Sequence, residues 1–92
     1  MSVATAELAS AFGVGEGELL KEALRSLLLE KKRGVLQAKL EILTRHGAAS
    51  LQDLEAKIAD GVVAEHPAWE DLIVAENLEQ RLGELNEYLR RL

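Results

Sequence analysis

The side chains that could carry chemistry are few and scattered. The two histidines, His46 and His66, are twenty residues apart, and there is no cysteine. Disulfides and thiolate metal sites are therefore outside the reach of this chain. His66 precedes the one proline and, four residues before Glu70, could approach that carboxylate, but one imidazole and one carboxylate do not complete a zinc site. Ser2, Ser10, Ser26 and Ser50 lack the glycine-flanked elbow that exposes a nucleophilic serine. Glu70 and Asp71 are adjacent, so on a helix they diverge instead of converging as an acid–base pair. Gly13-Val14-Gly15-Glu16-Gly17 resembles a phosphate-binding loop only superficially. The dinucleotide fingerprint needs a preceding strand and a third glycine one residue later, and the Lys-Ser/Thr pair of a nucleoside-triphosphate loop is missing. The residues predict no enzyme, no metal and no cofactor.

What remains is a helix-forming inventory. Apolar residues make up 48% of the chain, yet Phe12, Trp69 and Tyr88 are its only aromatics. Leucine, alanine and valine supply the rest, glutamate outnumbers aspartate thirteen to three, and there is one proline. This composition predicts an all-α fold. Ninety-two residues predict a single helical domain, 1–92, with a small core that needs good packing or a partner. The first ten residues have neither the basic leader nor the apolar core of a signal peptide. No apolar run approaches the ~18 residues of a membrane span. The expected location is the cytoplasm.

The net charge of −5 is unevenly distributed. Residues 1–46 carry seven basic and six acidic side chains, whereas residues 47–92 carry four and ten. From Glu65 to Glu79 there are five carboxylates and no lysine or arginine. Such a window repels nucleic acid and anionic membranes and suits a basic partner.

Glycines, one proline and one serine mark where helices start and stop. Ser2 or Thr5 can cap a first helix whose stripe is Met1, Ala4, Leu8, Ala11 and Phe12, and Gly13 ends it. A long helix is expected from about Glu16 to about His46. Its glutamates lie near the positive end of the helix dipole, and Arg45 and His46 near the negative end. Leu20, Leu24, Leu27 and Leu28 form its first apolar face, and Val35, Leu36, Leu40, Ile42 and Leu43 its second. Gly34, after Glu30-Lys31-Lys32-Arg33, costs roughly 1 kcal/mol in a helix, and the helix is expected to continue through it. The basic cluster should be solvated or pair with the acidic window. Gly47 is the expected stop. Ser50 and Asp53 have capping-box spacing for a short helix over 51–60 that buries Leu51, Leu54 and Ile58. Gly61 ends that helix, and Pro67 suits the first turn of the last one.

In that last helix Ala75, Leu78, Leu82, Leu85, Leu89 and Leu92 recur every three or four residues, the seam of a bundle or coiled-coil helix. The expected architecture is three to four helices, with the long and C-terminal helices packed as an antiparallel hairpin. A hairpin alone leaves apolar faces uncovered, so a dimeric helical bundle is expected. The candidate self-association seam is Leu78, Leu82, Leu85, Leu89 and Leu92. At the start of this helix Trp69 lies among carboxylates, and an aromatic anchor in an acidic rim is a common interface centre. The candidate partner interface is Trp69, Glu70, Asp71, Leu72, Ile73 and Glu76.

Two segments resemble known families. Phe12 to Leu28, with Gly13-Val14-Gly15 before Glu22-Ala23-Leu24-Arg25, is similar to the second-helix region of ribbon–helix–helix proteins. Those read DNA with a paired strand ahead of a longer first helix. Eleven residues before Phe12 are too few for both, although Val3-Ala4-Thr5 could be a vestigial strand. Residues 40–92 resemble short helical antitoxin-like proteins of prokaryotic toxin–antitoxin operons. The segments concerned are Leu43-Thr44-Arg45-His46-Gly47, Leu51-Gln52-Asp53-Leu54-Glu55, Glu65-His66-Pro67-Ala68-Trp69-Glu70-Asp71-Leu72 and Leu82-Gly83-Glu84-Leu85. The Glu65–Leu72 run is the most specific of them. This resemblance implies a non-catalytic module that binds a small toxin, often a ribonuclease, and the acidic window suits a basic one. The alternatives are a DNA-binding autoregulator acting through the N-terminal half and a purely structural self-assembling bundle.

Overall fold

A computed structural model describes residues 4–92. It has four helices and no strand among the described residues: α1 Thr5–Phe12, α2 Glu16–Arg45, α3 Leu51–Ala59 and α4 Glu65–Arg90. α2 and α4 pack as an antiparallel hairpin, α3 lies against α4, and α1 packs on α2.

The expected punctuation marks are where the chain turns. Gly13, Gly47 and Gly61 all have positive φ, between 61° and 73°. A β-carbon is disfavoured in that region, so glycine ends a helix there at the least cost. Ser50 Oγ accepts from the Asp53 amide at 3.0 Å. The Asp53 carboxylate reaches back to the Ala49 amide at 2.8 Å, one residue earlier than a standard capping box would place it. His66 is extended (φ −114°, ψ 130°), as a residue before proline tends to be, so the regular part of α4 begins at Pro67. α2 runs unbroken through Gly34 for 30 residues, a length of ~45 Å.

Two expectations for the N-terminus need correction. Thr5 is already helical, and the cap is the extended Ala4, which has no capping side chain. Of the predicted stripe, Met1 lies outside the described residues, as do Ser2 and Val3. Leu8 and Phe12 are exposed, and the side of α1 that is buried is Ala9. Ala4 and Thr5 are the cap and first residue of α1 and not part of a strand, and the Val3 end of that expectation lies outside the described residues.

The core sits at one end of the hairpin. Ile42, Leu43, Leu54, Leu72 and Ala75 are buried together, with Ala48, Leu51, Ile58, Val63 and Leu78 packed around them. Here three helices meet, and Leu54 of α3 is completely buried. At the other end α4 meets α2 without α3, and Leu20, Leu24 and Leu27 remain exposed. The molecule is consequently long, 60 × 23 × 19 Å, with a radius of gyration of 19.3 Å. A compact chain of this length would have ~12 Å. No helix is long and apolar enough to cross a membrane among the described residues.

Candidate functional site

The start of α4 is held by charge as well as by core packing. Asp71 Oδ2 lies 2.9 Å from Arg45 Nη1 and 2.7 Å from His46 Nε2. The carboxylate joins the last turn of α2 to the first turns of α4. The hydrogen bond to His46, then the hydrogen bond and charge of Arg45, hold the Asp71 carboxyl below the usual aspartate range, against the opposing effect of burial. Further along the hairpin, Lys39 Nζ lies 2.5 Å from Glu79 Oε2. Two cross-helix ion-pair groups, with Leu72 and Ala75 in the core between them, therefore fix the rotation of α4 about its axis.

That rotation decides which candidate interface residues are free. Leu72 is buried at 3% exposure and belongs to the core. Asp71 is mostly occupied by α2. Both were expected on the partner surface; the burial of Leu72 and the contacts of Asp71 with Arg45 and His46 make them anchors of α4 instead. Trp69, at 48% exposure, and Ile73, at 45%, face solvent. Glu70 and Glu76 are also exposed. Glu70 Oε1 meets His66 Nδ1 at 2.6 Å, the i, i+4 approach anticipated from the spacing. Backbone hydrogen bonding at its own amide, then the His66 contact, holds the Glu70 carboxyl below its usual range.

Trp69, Ile73 and Glu76 follow the i, i+4, i+7 spacing of a single helix face. Glu79, three residues beyond Glu76, reaches Lys39, which lines a shallow groove on α2 with Leu36, Leu40 and Leu43. Leu36 and Leu40 are exposed. Trp69 and Ile73 thus stand exposed on α4 beside the carboxylates of Glu70 and Glu76, and Leu36 and Leu40 are separately exposed on α2. Among the described residues, no three of His, Cys, Asp and Glu converge as metal ligands.

The leucine seam lies within the hairpin. Leu85 is buried, and Leu78, Leu82, Leu89 and Leu92 are half-buried. The cluster around Arg33 is solvated on its own helix: Arg33 bonds Glu30 at 2.7 Å and Gln37 at 3.0 Å.

The model of the family described as "Uncharacterized protein MJ0235 family" matches residues 1–92. The chain belongs to this family. No curated protein and no solved structure matches the chain. The match spans both the exposed Trp69 face and the anchors beneath it.

Sequence reading missed two features of the site. The first is the pairing of Arg45 and His46, expected only to complement the helix dipole, with Asp71, which lies 26 and 25 residues away. The second is that Leu36 and Leu40 are exposed, because periodicity defines a stripe but does not say whether another element covers it.

Proposed function

We propose that this chain is a non-catalytic protein-binding module that engages a basic partner through the exposed face of α4 at Trp69, Ile73 and Glu76. The observation that carries the reading is the contrast between neighbours in one helical turn. Leu72 and Asp71 are committed to the fold, while Trp69 and Ile73 are held out beside exposed carboxylates. A half-exposed tryptophan on a rigid helix contributes a large apolar contact area with little conformational entropy to lose. The surrounding carboxylates favour approach of a positively charged surface.

The resemblance of residues 40–92 to antitoxin-like proteins supports a finer form of this reading, in which the partner is a small toxin. The test is co-expression of the full chain with the product of the gene beside it, followed by co-purification and growth rescue. Binding and rescue that fail in Trp69→Ala/Ile73→Ala would support the proposal. Failure of the wild type to bind or rescue would exclude the toxin as partner.

A further inference from the structure

We propose that the open end of the hairpin is the contact surface for a second copy of this chain, which assembles into a four-helix arrangement through α2 and α4. The surface is a groove of about 340 Å³ lined by Leu24, Leu27, Leu28, Tyr88, Arg91 and Leu92. Leu24 is 41% exposed, Leu27 53% and Tyr88 49%, and Leu20, one turn further along α2, is 57% exposed. The groove lies at the opposite end of the hairpin from Trp69, so the two surfaces can be occupied independently.

Area argues for a second copy as the occupant. The chain exposes 6518 Å², whereas a compact monomer of its 10.1 kDa would expose ~5,300 Å². The excess of ~1,200 Å² exceeds the ~800 Å² per partner of a standard stable interface. Leu20, Leu24, Leu27 and Tyr88 contribute apolar surface to that excess at the open end, where α3 does not reach. Charge argues the same way. Glu18, Lys21, Glu22 and Arg25 flank the leucines on α2, and Glu84, Glu87, Arg90 and Arg91 accompany Tyr88 on α4. Both signs are present in near balance, so a two-fold axis can set acidic side chains against basic ones. The acidic window at the other end would face its own like charges in the same arrangement.

Sedimentation equilibrium of the full chain at micromolar concentration, with no other protein present, tests this directly. The expected result is a mass of twice 10.1 kDa that persists in high salt, because the contact is mainly apolar. Leu24→Glu/Leu27→Glu should weaken the dimer by about 100-fold or more, since two charges would enter its centre. Trp69→Ala should leave the dimer unchanged, which separates this proposal from the partner-binding reading. A wild-type monomer across the micromolar range would overturn the proposal, as would a Leu24→Glu/Leu27→Glu dimer of undiminished affinity. If that variant loses its helical circular dichroism, Leu20→Gln/Tyr88→Gln probes the same surface with uncharged substitutions and must weaken the dimer too.

Discussion

His46 Nε2 lies 2.7 Å from Asp71 Oδ2, joining the end of α2 to the beginning of α4 across 25 residues of sequence. The pair sits next to Leu72, so the contact that orients α4 also sets which of its residues point inward. Arg45 adds a second bond to the same oxygen at 2.9 Å. Trp69 and Ile73 remain outside because Asp71 and Leu72 are held in place.

The pH dependence of stability follows from this carboxylate. Its partners lower the Asp71 pKa below the ordinary value of 3.8, and Lys57 and the Ala49 amide do the same for Asp53. A carboxyl with a depressed folded-state pKa stabilises the fold above its unfolded value, and that contribution is lost as the pH falls through the folded value. The melting temperature should therefore drop as the pH falls below 3.8. Asp71→Asn should lower the melting temperature at neutral pH, by a stability loss of about 1–2 kcal/mol, and should flatten the acid limb. Thermal melts of both proteins from neutral pH into acid check this.

Leu54 is completely buried between α2 and α4, and the three-helix end depends on it. Leu54→Ala should cost about 2–5 kcal/mol. Val62, 67% exposed in the following loop, should tolerate alanine within about 0.5 kcal/mol. Urea denaturation of the two variants at equal protein concentration measures the difference.

Gly34 lies in the interior of α2, and a β-carbon there would meet nothing within 4 Å. Its backbone is helical, so alanine fits without strain. Gly34→Ala should raise stability by about 0.5–1 kcal/mol, partly by restricting the unfolded chain. A lower melting temperature in this variant would mean that α2 needs to bend at this point.

The helix pattern was legible because its signals are local. Gly13, Gly47 and Gly61 stop helices through their own backbone preference, and Ser50 and Pro67 start them through a hydrogen bond or a fixed φ angle. His66 and Glu70 meet, as their four-residue spacing allowed, although His66 precedes the first helical turn. What depended on distant chain was not legible. Nothing near Asp71 in sequence announces Arg45 and His46, so Asp71 read as a free acidic residue. Leu24 and Leu54 look alike in their local patterns, yet α3 places Leu54 between two helices and ends before it can cover Leu24. On α1 the short Ala9 packs inward while Leu8 and Phe12 stay exposed, because a stripe predicted from apolar periodicity does not say which side of α1 another element covers.

The partner-binding claim rests most directly on Trp69, whose removal should leave the fold intact. Isothermal titration of the full chain with the adjacent gene product is the decisive measurement. The account predicts an affinity that weakens as salt rises and falls by about 30-fold or more in Trp69→Ala, with the melting temperature of that variant close to wild type. An affinity unchanged by Trp69→Ala/Ile73→Ala, or by salt, would contradict a binding site on this face of α4.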